Sequence, residues 1–243
     1  MTIVSPHHIE AYKEKKGIKS VVAFSGGASA PNVTFDKELG EALTTASAKL
    51  EEKTIEEILE VLRPYAPGLG ILTGGTKWGI PCTAIRIAKR MGYHTIGIFP
   101  ERGLKHALDA DLVDLRVCVR PDFEGQTPEE RSRYGSDWGD ESSLFAKTLD
   151  AVIVLSGRAG TLVELAHVFK INEGRRSRKQ TPKFIVPLRH SGGTAESACY
   201  LPADPAVKSE CMPVQPVETG RQAAKFLIEN LNLEDLLDDV SVA

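Results

Sequence analysis

The chain has 243 residues, enough for one large α/β domain with a core that needs no disulfides. Apolar residues make up 42% and charged residues 26%, and the formal net charge of −3 argues against a general nucleic-acid binder, which wants a basic excess. Cys82, Cys118, Cys199 and Cys211 form no C-x-x-C pair, and the chain contains neither an apolar leader nor a run of about 18 apolar residues. These features point to reduced thiols in a cytoplasmic protein with no membrane span and no nucleic-acid partner.

Taken in order, the first 17 residues are polar, with a short helix expected over Ile9 to Lys16. Ser20 to Phe24 reads as a strand, followed by the small-residue turn Ser25-Gly26-Gly27-Ala28-Ser29. Residues 36 to 63 read as helix, with Leu39, Ala42, Leu43 and Ala46 on one face. Thr54-Ile55-Glu56-Glu57 has the form of a capping box and predicts a second helix there, ended by Pro64 and Pro67. Leu69 to Thr73 is the second strand and Gly74-Gly75-Thr76-Lys77-Trp78-Gly79 the second glycine turn. Pro81 suits the first position of the next helix, whose buried stripe is Ala84, Ile85, Ala88 and Met91. Strands over His94 to Phe99 and Leu115 to Val119 follow.

Residues 121 to 141 form a long polar connection, a lid or mobile surface that includes Trp138. Ser142 to Leu149 reads as helix and Ala151 to Leu155 as a fully buried strand. The strand runs into Ser156-Gly157-Arg158-Ala159-Gly160-Thr161 and then a helix with Leu162, Leu165, Ala166 and Phe169 on one face. Arg175, Arg176, Arg178 and Lys179 form a solvated cluster before the strand Phe184 to Leu188. Residues 191 to 217 read as irregular, and Glu218 to Leu231 as a closing amphipathic helix before an acidic end, Glu234 to Asp239. Alternating strands and helices specify a Rossmann-like three-layer α/β fold, a mostly parallel sheet with helices on both faces. It is one domain over 1–243, with a core at about 18–190 and the closing segment over 191–243.

In such a sheet the βα turns gather at the carboxyl edge, where ligands bind at the point of strand-order reversal. The three glycine turns are therefore expected to converge. Ser25, Gly26, Gly27, Gly74, Gly75, Thr76, Gly79, Ser156, Gly157, Gly160 and Thr161 are the ligand-binding candidates. They offer backbone N–H groups and hydroxyls that suit a phosphate and a ribose. Each glycine could equally serve only a tight turn. Glu164 and Arg158 are the catalytic candidates, Glu164 as the carboxylate and Arg158, within the turn itself, as the cation that contacts the ligand phosphate. Thr161-Leu162-Val163-Glu164 also reads as a capping box, and the spacing leaves both roles open. No H-E-x-x-H, G-x-S-x-G or Walker A pattern occurs, so neither metal nor cofactor is expected.

Ser156 to Glu164, S-G-R-A-G-T-L-V-E, resembles the P-G-G-x-G-T-x-x-E signature of the LOG family of cytokinin-activating phosphoribohydrolases. Val21 to Gly27, Ile71 to Gly75 and Thr95 to Pro100 are similar to that family's first strand and loop, second glycine turn and proline-ended strand. The resemblance implies a Rossmann-like nucleotide-binding fold and a homodimer or higher homo-oligomer. It also implies a small phosphoribosyl or nucleotide ligand, with Glu164 acting on the ribose of a nucleoside 5′-monophosphate. Ser156 and Arg158 stand where the family has Pro and a second Gly, and the family's Arg-Lys pair falls on Glu141 and Ser142. Three functions stay open: a phosphoribohydrolase releasing base and ribose 5-phosphate, a nucleotide-sensing module without turnover, and a carrier with a vestigial site.

Overall fold

Six parallel strands carry the fold, in the order β4-β3-β2-β1-β5-β6. They are β1 (Ser20–Gly26), β2 (Leu69–Thr73), β3 (His94–Pro100), β4 (Leu115–Val119), β5 (Ala151–Leu155) and β6 (Phe184–Pro187). The computed structural model describes residues 4, 6–27, 37–120 and 140–236. Ala28, Ser29, the connection 121–139 with Trp138, and the side chains of Leu39, Ala42, Leu43 and Ala46 lie outside the described residues.

Side chains alternate across the sheet and so feed two apolar layers. Val22 and Phe24 of β1 face one layer with α2 (Lys37–Leu62), α3 (Gly79–Arg90) and the closing helix Gly220–Asn230. Val21 and Ala23 face the other, with α1 (His8–Lys16), α4 (Asp140–Thr148), α5 (Ala159–Ser177) and the helix Pro205–Cys211. Strands β2 and β5 are buried at every position, as expected of strands covered on both faces. The three-layer α/β expectation is met.

Local readings differ from the structure at several places. Helix α2 is continuous, because Thr54 caps nothing: its Oγ1 donates to the Leu50 carbonyl one turn back, at 2.8 Å. Glu57, the other half of that apparent capping box, accepts from the Gly220 N–H at 3.0 Å and so ties α2 to the closing helix. Residues 191–217 contain α6 (Gly193–Ser197) and α7 (Pro205–Cys211), helices too short to show a period. Asp204 caps α7 by accepting from the Ala206 N–H, with Pro205 at the first helical position. The closing helix, α8 (Gly220–Asn230), starts in a true capping box of Thr219 and Gln222. Helix α5 buries Thr161, Leu165, Val168, Phe169 and Asn172, so its inward face is rotated from the expected one and Leu162 is left 40% exposed. All four cysteines are free thiols.

Buried Asn172 fastens α5 to the entry of β6. Its amide donates to the Lys183 carbonyl and its oxygen accepts the Lys183 N–H, both at 2.8 Å. Removing this side chain leaves two backbone groups unpaired in the interior. Asn172→Ala is expected to cost about 2–4 kcal/mol by the desolvation of those groups. Chemical denaturation checks this, and a loss under about 1 kcal/mol contradicts it.

The chain runs outward from β1 through β2 and β3 to β4, then returns to β5 on the other side of β1. The reversal places a crevice between the β1 and β5 carboxyl ends, where open α/β sheets bind ligands.

Candidate functional site

The first turn is shaped by close packing. A Cβ on Gly26 would lie 2.3 Å from the Leu155 carbonyl oxygen and 2.7 Å from Ile80 Cγ1, so only glycine lets β5 and α3 press against the end of β1. Gly27 then accepts the Ile80 N–H at 3.0 Å and seats the start of α3. The second turn is fixed from within, with Thr73 Oγ1 accepting the Gly75 N–H at 3.1 Å. Gly75 has φ +65 and its carbonyl accepts the Leu108 N–H at 2.7 Å. That bond and Lys77 N–H to His106 carbonyl, at 3.0 Å, lay the turn Glu101–His106 alongside.

The third turn departs most from a phosphate loop. Ser156 has φ 51 and Gly157 φ 98, and both turn their backbone toward residues 191–195 rather than toward open space. Ser156 N–H donates to Ser191 Oγ at 2.9 Å, and the Ser156 and Gly157 carbonyls accept from the Ala195 and Thr194 N–H groups at 2.9 and 3.0 Å. A Cβ on Gly157 would fall 2.6 Å from Thr161 Oγ1, which explains that glycine. Arg158 is extended, with φ −131 and ψ −152, as a non-glycine residue requires there. Its side chain is exposed and is not among the residues lining the crevice.

What remains open is a cleft of about 490 Å³ at the switch point. Of the expected residues it brings together Ser25, Gly26, Gly74, Thr76, Gly160, Thr161 and Glu164. Gly27, Gly75, Gly79, Ser156 and Gly157 do not line it; they build the turns behind. The opposite wall comes from Trp78, Pro100, Arg102 and His106, and Glu141 lines the cleft beside Glu164. The Trp78 and His106 rings lie 4.7 Å apart, and Lys77 Nζ sits 5.6 Å from the Trp78 ring centre. Thr76 Oγ1 and Glu141 Oε2 are buried at this cleft without a hydrogen-bond partner among the described residues. Buried polar atoms of this kind are ordinarily satisfied, and a bound ligand can do so.

Glu164 is not a helix cap. Helix α5 begins at Ala159, so Thr161 is already its third residue and the apparent capping box does not form. Instead Glu164 Oε2 accepts the Ser25 hydroxyl from β1, across the switch point. Burial pushes the Glu164 carboxyl up to about 7, the Ser25 hydrogen bond opposes that rise, and the negative charge of Glu141 adds to it. Gly160 and Thr161, in the first turn of α5, line the cleft together with Glu164, and the helix start carries no side-chain cap. The cleft thus holds a helix N-terminus suited to an anion beside a carboxyl group poised near neutrality.

Glu141 could be found only in part from the sequence. The alignment with the LOG pattern marks it as a lost basic residue, but its neighbour in space, Glu164, lies 23 positions away. Trp78 is recognisable as a residue in a glycine turn, whereas its pairing with His106 depends on the Gly75–Leu108 contact.

Two molybdenum cofactor proteins share the fold. The molybdenum cofactor carrier protein of Chlamydomonas reinhardtii is 17% identical over 88% of this chain and 99% of its own, with a TM-score of 0.54. The molybdenum cofactor binding protein of Rippkaea orientalis is 15% identical over 88% of this chain and 98% of its own, with a TM-score of 0.56. No curated protein matches in sequence. The exclusion of nucleic acid is corrected, and among the similar structures is DNA processing protein A of Helicobacter pylori, described by its single-stranded DNA binding mode. It is 16% identical over 90% of this chain and 83% of its own, with a TM-score of 0.48. The physical reason is that net charge reports a sum, whereas a nucleic-acid surface needs only a local distribution. Among the described residues, no helix is long and apolar enough to cross a membrane. The SLOG cluster4 family model matches residues 45–174, more than half of the 243, and the chain belongs to that family within the LOG/SLOG Rossmann-like group.

Proposed function

We propose that the chain binds a nucleoside 5′-monophosphate or related phosphoribosyl ligand in the switch-point cleft and hydrolyses its N-glycosidic bond to free base and ribose 5-phosphate. The observation that carries this reading is the Glu164 carboxyl, held by Ser25 inside the cleft and pushed up to about 7 by burial. A carboxylic acid near neutrality can protonate a departing base, and once ionised it stabilises oxocarbenium character on the ribose. In this reading the phosphate lies at the α5 N-terminus, at Gly160 and Thr161, where dipole and amides favour an anion. Arg102 adds a positive charge from the facing wall, and Arg158, exposed beside the same N-terminus, adds one from outside. The ring system lies toward Trp78 and Pro100. The family resemblance extends the proposal to a homodimer working in the cytoplasm.

A second reading, ligand binding without turnover, draws on one observation. Glu141 occupies the cleft where the LOG pattern has a basic residue, so the environment of the reacting centre differs from that pattern.

A thermal-shift series with nucleoside 5′-monophosphates, ribose 5-phosphate and NAD tests both readings. A ligand at a hundredfold excess over Kd should stabilise the folded state by about 2.7 kcal/mol. Base release measured on the same panel separates hydrolysis from binding alone. No rise in midpoint with any member contradicts the ligand class itself.

A further inference from the structure

We propose that Glu141 is a second catalytic carboxylate, working with Glu164 as an acid–base pair on the ligand's glycosidic bond. This inference rests on the hydrolase reading above and names a residue that the LOG signature does not supply.

Glu141 stands in the first turn of α4. An acidic residue in the first turn of a helix usually serves the helix dipole and faces water. Glu141 instead lines the cleft, and its Oε2 is buried there with no hydrogen-bond partner among the described residues. The oxygen is therefore directed to something other than the helix amides. Glu164 faces the same space from α5, with Oε2 held by the Ser25 hydroxyl. That bond fixes the carboxyl orientation and leaves Oε1 as the oxygen not engaged by Ser25. A proton on Glu164 then resides on Oε1.

Two carboxyl groups around one glycosidic bond divide into an acid and a base when their surroundings differ. Glu164 is the acid: its partial burial favours the protonated form, and the charge of Glu141 beside it adds to that. The other groups facing this space are Ser25 and Thr161, which are neutral, and Arg102 and His106 on the far wall. In the step that follows, the bond between C1′ and the base nitrogen breaks and its electron pair goes to the nitrogen, which takes the Glu164 proton. A water oxygen bonds to C1′ and its proton passes to Glu141. One water is consumed, and proton exchange with solvent returns both carboxyls to their starting states. An arginine at position 141, permanently protonated, could not accept that proton, so the replacement changes the chemistry as well as the charge.

The test combines two measurements on the full chain. The side chains are labelled with ¹³C-glutamate, the Glu164 resonance is assigned by its loss in Glu164→Gln, and its titration is followed in the parent, Glu141→Gln and Glu141→Asp. The midpoint should fall in Glu141→Gln, as expected when a neighbouring like charge is removed, and should stay near the parent value in Glu141→Asp. On whichever nucleoside monophosphate releases base, Glu141→Gln should lower kcat by about 10²–10⁴ with KM little changed. An unmoved Glu164 midpoint in Glu141→Gln, or undiminished base release, overturns the proposal. If the parent releases base from no nucleotide, the hydrolase reading fails and the acid–base role falls with it; base release by the parent that Glu141→Gln leaves undiminished overturns the pair alone.

Discussion

Glu164→Gln is expected to abolish base release while making the folded protein more stable above neutral pH. The first half follows from losing the proton that the departing base requires. The second follows from linkage. The folded carboxyl titrates at about 7 against an ordinary value of 4.5, because burial outweighs the Ser25 hydrogen bond. The folded state therefore binds the proton more tightly than the unfolded state, and stability falls as pH rises through the window from 4.5 to 7. Glutamine is neutral at every pH and removes that loss. Its advantage should be nearly absent at the acid end and fully present above neutrality, on the order of 2–3 kcal/mol. Melting curves at about pH 5 and about pH 8 measure the difference. A variant that gains nothing at the higher pH contradicts the enclosed carboxyl, and retained turnover removes Glu164 from the chemistry.

Gly26→Ala should be among the most damaging single changes in the molecule. The added methyl would sit 2.3 Å from the Leu155 carbonyl oxygen and 2.7 Å from Ile80 Cγ1. The first is backbone of the neighbouring central strand, which cannot move without disturbing the β1–β5 ladder. The second belongs to the first turn of α3, whose Ile80 N–H is bonded to Gly27. Overpacking of this kind costs about 1–3 kcal/mol in adaptable cores, and a rigid strand junction is expected at or above the upper end. A shift of the denaturation midpoint by less than about 1 kcal/mol would show that the switch point is looser than its packing indicates.

Much of this architecture was legible because it depends on local pattern. The limits of β2 and β5 coincide with the apolar runs Leu69–Thr73 and Ala151–Leu155, since strands buried on both faces carry continuous apolar sequence. Glycine turns between such strands and helices had to gather at one edge. The misreadings arose where a local signal served a distant partner. Thr54 and Glu57 spell a capping box, yet one bonds within α2 and the other reaches α8. Thr161 and Glu164 spell another, yet α5 starts two residues earlier and Glu164 is taken by Ser25 of β1. Ser156 and Gly157 have the composition of an anion loop, but residues 191–195 occupy their backbone groups from a segment that shows no periodic signal. The rest of the cleft, with Glu141 and the Trp78–His106 pair, exists only through contacts between separate elements.

The central claim is that a phosphorylated ligand sits against the first turn of α5, and Gly160 gives direct access to it. A Cβ at Gly160 meets nothing within 4 Å and the residue does not have positive φ, so Gly160→Ala fits the fold and gains helix propensity of about 0.8–1 kcal/mol at most. The same methyl projects into the space where the phosphate would lie. Calorimetric titration of a nucleoside 5′-monophosphate into the parent and into Gly160→Ala decides the matter. One ligand per chain in the parent, with affinity at least about tenfold weaker in the variant at unchanged or higher stability, is the predicted result, a difference of about 1.4 kcal/mol. Equal affinity in the two proteins would place the ligand elsewhere and contradict the account.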